Sequence, residues 1–147
     1  GAVAANKLDD YEEGTFTPEL ADASSGGNTA SGSFTANYTK IGRVCHCYIS
    51  FLNINTTGMT SGNALHFRNL PFAAATGSDS QGRSAGSAVR CDSINFGNYV
   101  MAEIAPGNAF GLFNDVIDSS ADNVLFVSSI TASGTSDLFF NFTYFTA

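Results

Sequence analysis

Positive charge is scarce in this sequence: six Lys and Arg stand against 13 Asp and Glu in 147 residues, a formal net charge of -7. Nucleic-acid binding draws its affinity from clustered cations that displace counterions. No such cluster exists here, so nucleic acid is excluded as a partner. Charge of either sign is sparse, 13% of residues against about 25% in an average domain. Polarity comes instead from Gly, Ser, Thr and Asn, a surface suited to hydroxyl-rich ligands or close subunit contacts. No apolar run approaches the roughly 18 residues of a membrane span, so membrane insertion is not expected. Gly1-Ala2-Val3-Ala4-Ala5 lacks the basic and long apolar regions of a signal peptide; the start reads as a boundary within a longer protein. Three cysteines, an odd and small count, argue against a disulfide framework. Cys45 and Cys47 would share one face of a strand with Cα atoms about 6.6 Å apart, the upper edge of disulfide reach. Reduced, mostly buried thiols and a reducing place of synthesis are expected.

Catalytic constellations are missing too. Carboxylate catalysis needs two acids held about 5 to 10 Å apart across a cleft. Asp9, Asp10, Glu12 and Glu13 are contiguous, and Asp115, Asp118 and Asp122 bracket one loop. Nothing in that spacing aims a pair across a cleft, and solvated surface acids are expected. The two histidines, His46 and His66, fall on expected strands, and Gly-x-Ser-x-Gly is absent. The Gly-rich stretches lack the Lys and following helix of a phosphate loop. Cys45-His46-Cys47 carries metal-type ligands, but on a strand His46 points away from both thiols, so the three cannot converge on one ion. No enzyme activity, cofactor or metal is expected, although three copies of His46 or His66 on a trimer axis could in principle meet around an ion.

What is present favours strands: 13 Phe, five Tyr and abundant Thr, Ile and Val. One helical stripe, Ala4, Leu8 and Tyr11, is too short to hold alone and reads as the end of a stem whose chains pack together. The acidic run to Glu13 is expected to be a solvated face or a collar on it. The β region is expected from Gly14, with Pro18 marking an edge or lead-in. Residues 21–33 read as a polar loop and Phe34–Tyr38 as a strand. Gly42 supplies a positive φ in the next turn. Val44–Ile54 is the longest strand. Its Cys45, Cys47, Ile49, Phe51 face and its Val44, His46, Tyr48, Ser50, Leu52 face are both largely apolar, so it should be central and covered on each side. Further strands are expected at Ala64–Leu70, Ser87–Ser93, Tyr99–Ile104, Phe110–Asp115, Val124–Ile130 and Asp137–Ala147. A short apolar run lies at Phe72–Ala75 and a long polar loop at 76–86. Turn signals every 8 to 12 residues argue for an all-β antiparallel sandwich or jelly-roll-like head, residues 14–147, behind a stem end, residues 1–13.

Four blocks then carry a resemblance. Asp10-Tyr11-Glu12-Glu13-Gly14-Thr15-Phe16-Thr17-Pro18, Tyr38-Thr39-Lys40-Ile41-Gly42, Leu70-Pro71-Phe72 and the closing Phe142-Thr143-Tyr144-Phe145-Thr146 come in this order along the chain. They resemble blocks of the C-terminal head domain of phage and prophage tail fibre and tail spike proteins. The resemblance implies a homotrimer at the distal tip of a fibre, made in the host bacterial cytoplasm and carried on the virion, that adheres to a host cell-surface glycan or protein receptor. A trimerisation cap that binds nothing, and a glycan-degrading spike domain, are the alternatives. The sequence departs from the family at Cys45, His46 and Cys47, where Val and Thr are usual, and residues 76–98 match nothing in it. Aromatic faces stack on sugar rings while Asn, Asp and Arg bond the hydroxyls. That mixture singles out Arg90, Asp92, Asn95, Phe96, Asn98 and Tyr99, with Asp79 and Arg83 as a second patch.

Overall fold

Residues 44–55 and 136–145 alternate between buried and exposed positions, as a period of two requires of a strand with one wet face. A computed structural model of the chain describes residues 10–116 and 123–147. In chain order its strands are β1 (Tyr11–Phe16), β2 (Glu19–Ala21), β3 (Ser31–Ile41), β4 (Val44–Asn55), β5 (His66–Arg68), β6 (Ser84–Ala88), β7 (Arg90–Asp92), β8 (Tyr99–Ile104), β9 (Gly111–Val116), β10 (Asn123–Val124) and β11 (Ser136–Phe145). One four-residue helix, α1 (Asp79–Gly82), lies between β5 and β6. The strands form two antiparallel sheets, β1-β3-β4-β11-β7 and β2-β5-β9-β8-β6, with β10 pairing β9. The expected all-β sandwich is the observed fold. No helix of the described residues is long and apolar enough to cross a membrane.

The core is aromatic. β11 sends Leu138, Phe140, Phe142 and Tyr144 inward, and β4 sends Cys45, Cys47, Ile49 and Phe51. In the other sheet Phe67 packs 5.1 Å between ring centroids from Phe113 of its own sheet and reaches across to Phe140 at 5.1 Å and Phe142 at 5.6 Å. Tilted and edge-on contacts at these distances suit the ring quadrupoles. Each such buried ring stabilises the fold by about 1.5–3 kcal/mol.

Several expectations change. The outer face of β4 is not covered: Tyr48 is 57% exposed and Val44 40%. Apolar residue type gave the wrong cue, because the second sheet packs on the thiol face alone. The expected Ser87–Ser93 strand is two strands: β6 pairs with β8, the chain crosses sheets at Val89, and β7 pairs with β11. Val124–Ile130 keeps only β10, followed by a 3-10 turn at Val127–Ser129. Its buried residues Leu125, Val127 and Ile130 are spaced two and then three apart, which a strand cannot bury on one face. The polar loop at 76–86 contains α1 and the start of β6. The β region begins at Tyr11, so Glu12 and Glu13 sit on β1 beside Lys40 and Thr39 of β3, three residues before the expected boundary. Ala4 and Leu8 of the helical stripe, Asp9, Asp118 and Asp122 lie outside the described residues.

A bulge shapes β4. Asn53 takes φ 54°, and the register on β11 passes from Leu138↔Phe51 to Ser136↔Ile54. Asn tolerates this left-handed conformation better than other non-glycine residues. The Asp137 carboxylate accepts its N–H at 2.8 Å.

Candidate functional site

The register of four strands turns the outer face of the five-stranded sheet into a grid. In its first row Tyr11 of β1, Ile41 of β3, Val44 of β4 and Phe145 of β11 stand side by side. All four are large and apolar, and each is 40% to 51% exposed. The second row is Glu13, Thr39, His46 and Thr143, with His46 Nδ1 2.7 Å from the Thr143 hydroxyl. The third is Thr15, Asn37, Tyr48 and Asn141. The fourth is Thr35, Ser50, Phe139 and Arg90. Polar rows thus succeed an apolar one across a single sheet face.

Rows three and four, Thr15 apart, line an open groove of ≈ 630 Å³. Tyr48 stands in it, its ring edge-on to His46 at 4.6 Å between centroids. The Arg90 guanidinium lies 5.2 Å from the Phe139 ring centre, within cation–π range, and 3.9 Å from the Asp92 carboxylate. On the inner side of the same strand, Cys45 and Cys47 are buried with sulfurs 3.8 Å apart. His46 points outward and away from both, as the strand geometry requires. The hydrogen bond with Cys45, then burial, pushes the Cys47 thiol far up. Among the described residues no group of three or more His, Cys, Asp or Glu side chains is placed to hold a metal ion.

The eight sequence-predicted residues are spread over three places. Arg90 and Asp92 lie on β7 and share the outer face with Phe139 and Asp137. Asn95, Phe96 and Asn98 fall in the β7–β8 connection. Its backbone is pinned by Asn95 N–H to Ser129 O at 2.8 Å, Gly97 N–H to the Asp115 carboxylate at 2.7 Å and Asn98 N–H to Val116 O at 3.2 Å. Phe96 and Tyr99 remain exposed, but Tyr99 opens β8 in the other sheet and points away from the core there. Asp79 opens α1 and Arg83 follows it, at the opposite end of β8, about 17 Å away by strand rise. Arg83 is occupied, paired with Asp79 at 3.0 Å and with Glu103. The structure therefore joins Arg90 and Asp92 to Tyr48, Asn37, Asn141, Thr35, Ser50 and Phe139, which sequence reasoning passed over. The signal available for them was the alternation of β3, β4 and β11.

Residues of the four sequence blocks meet at one corner of the sandwich. The Tyr38 hydroxyl donates to Glu12 at 2.7 Å, and that bond raises the phenol's pKa. The Tyr38 ring is edge-on to Phe72 at 5.4 Å, and Lys40 lies 5.5 Å from the same Phe72 ring centre. The Tyr144 hydroxyl donates to the Phe72 carbonyl at 2.9 Å. Gly14 is opposite Tyr38, where a Cβ would stand 2.8 Å from the ring, so only glycine lets the ring lie flat across β1. Gly42 turns the β3–β4 hairpin with φ 57°. Residues 10–14, 38–42, 70–72 and 144 therefore build one structural corner, and their pattern encodes the fold.

No protein-family model matches the sequence, and neither does any curated protein. Among solved structures, the crystal structure of the Dettilon tailspike protein is similar, with a TM-score of 0.62 over 93% of this chain at 16% sequence identity. The match covers 24% of the tailspike, so the chain spans about a quarter of that protein. The sandwich is therefore a fold that a tailspike also contains.

Proposed function

We propose that the chain is a distal domain of a bacteriophage tail fibre or tail spike, assembled as a homotrimer, that attaches the virion to a host surface receptor, with a glycan as the favoured receptor class. The observation that carries this reading is the tailspike-like fold over 93% of the chain. Its convergent corner of tail-protein-like blocks supports it. The exposed row Tyr11, Ile41, Val44 and Phe145 spans four strands, about 15 Å at the usual strand spacing. A contiguous apolar strip of that kind marks an interaction surface, and neighbouring copies of the chain are its proposed cover. Three modest sites on one rigid trimer then raise avidity without new contacts. No catalysis is proposed. Glu12, Glu19, Asp22, Glu103 and Asp115 each hold a hydrogen-bond partner that fixes the fold.

Sedimentation equilibrium and whole-cell binding test this reading. A trimer at micromolar concentration that binds some strains of a bacterial panel is the expected result. Ile41→Ser with Phe145→Ser should give monomers with unchanged circular dichroism and weaker cell binding. A wild-type monomer that binds no strain would refute the proposal. The apolar row by itself also favours a trimerisation cap without a ligand, and a stable trimer that binds no strain and no glycan would establish that instead.

A further inference from the structure

We infer that the groove on the outer face of the five-stranded sheet is a binding site for a neutral pyranose sugar, with Tyr48 as the stacking platform and Asn37 and Asn141 as the paired hydrogen-bonding arms. This rests on the receptor-binding reading and goes further by naming the site and the ligand class.

The grid geometry comes first. Asn37, Tyr48 and Asn141 are direct cross-strand neighbours. Adjacent strands lie about 4.8 Å apart and same-face residues about 6.6 Å apart along a strand. An exposed phenol ring is thus flanked by two carboxamides, with the Thr35 and Ser50 hydroxyls one row away. Carboxamides and hydroxyls each donate and accept, as each sugar hydroxyl does, whereas carboxylates only accept and ammonium groups only donate. An aromatic ring beside such groups matches a pyranose, which has apolar C–H faces and a polar rim.

Charge sets the ligand class. Among the described residues the one cation lining the groove is Arg90, which spreads over Phe139 and lies 3.9 Å from Asp92. A compensated cation gives little reason to select a uronate or a phosphate. Burial chemistry argues against a second copy of this chain as the occupant of these rows. Covering carboxamides and hydroxyls with a flat protein face leaves some unpaired, at about 1–3 kcal/mol each. Sugar hydroxyls satisfy them.

Saturation-transfer NMR on the full chain tests the assignment. The probes are methyl glucoside, galactoside, mannoside and N-acetylglucosaminide, alongside glucuronate and galacturonate at matched millimolar concentration. Saturable binding of at least one neutral glycoside, above both uronates, is the expected result. Tyr48→Ala and Asn141→Ala should each weaken it about tenfold, the equivalent of one good contact, with unchanged thermal melting. Phe96→Ala, in the separate β7–β8 connection, should leave it unchanged. Equal binding by the Tyr48→Ala and Asn141→Ala chains, a preference for uronates, or no glycoside binding at all would overturn the groove assignment. Whole-cell binding separates the two levels of the argument. A wild-type chain that binds cells no better than Tyr48→Ala does keeps the receptor role and removes this site, whereas a wild-type chain that binds no cells removes both.

Discussion

Replacing Asp22 with Asn probes how the β2–β3 loop is held. Asp22 is buried at the end of β2, and its carboxylate accepts three N–H groups: Asn28 N at 2.7 Å, Asn28 Nδ2 at 3.0 Å and Thr60 N at 2.8 Å. It thereby closes its own loop and ties it to the turn after β4. The bond from the Thr60 backbone, followed by those from Asn28, holds the carboxyl down to about 2 from its ordinary 3.8. A shift of that size corresponds to at most about 2.5 kcal/mol, and screening by solvent near the loop leaves on the order of 1–2 kcal/mol. Because the folded-state pKa is depressed, this stability is fully present above the unfolded value near 3.8 and is lost as pH falls through about 2. A carboxamide in its place would keep one acceptor oxygen and turn an NH₂ toward donors. Urea unfolding at a series of pH values should therefore show Asp22→Asn less stable by about 1–2 kcal/mol at neutral pH. The gap should close over the interval from about pH 4 to about pH 2. A gap that is absent at neutral pH, or that stays constant throughout that interval, would refute the reasoning.

Two further perturbations test the core. Tyr144→Phe removes the donor to the Phe72 carbonyl from a buried position, so thermal or urea unfolding should show a loss of about 1–2 kcal/mol with the fold retained; no loss would mean that water serves the carbonyl equally well. Cys45 and Cys47 have no exposed surface, and burial, then the charge of Asp115, pushes the Cys91 thiol up to about 11. Iodoacetamide should leave all three unlabelled in the native chain over the time that labels all three in urea, read by mass spectrometry, and rapid native labelling of Cys45 or Cys47 would contradict the packing.

Alternation made β4 and β11 readable. Cys45, Cys47, Ile49 and Phe51 share a face because strand geometry leaves no other arrangement. What covers the opposite face was not readable, since Val44, Tyr48 and Leu52 are the same residue types whether a second sheet lies on them or water does. The split of the expected strand at Val89 was hidden for a related reason. A chain that crosses between sheets stays extended, so residues 84–92 keep strand-like character while their partners change from β8 to β11. The groove was least legible of all. Tyr48 and Asn141 are far apart in sequence and meet only through the pairing of β4 with β11. Charged residues such as Arg90 and Asp92 stand out in a sequence by type alone, whereas neutral Asn and Thr on a strand do not.

The order of the rows bears on both proposals together. The apolar row contains Tyr11, the first residue of β1, so it lies at one end of the sheet face. The proposed trimer places contact between copies at that row. The groove lies two and three rows farther along the strands, about 13–20 Å away at the usual rise. Contact at the first row therefore leaves the third and fourth open. If copies instead packed over the whole face, Asn37, Asn141 and Thr35 would be buried against one another, at a cost the apolar row would have to offset. The double substitution Ile41→Ser with Phe145→Ser separates the two arrangements. With contact confined to the first row, it yields monomers that still bind a glycoside with the affinity of a single site, losing only avidity on cells. With contact over the whole face, the same monomers would expose a groove that the trimer hides, and glycoside binding would rise.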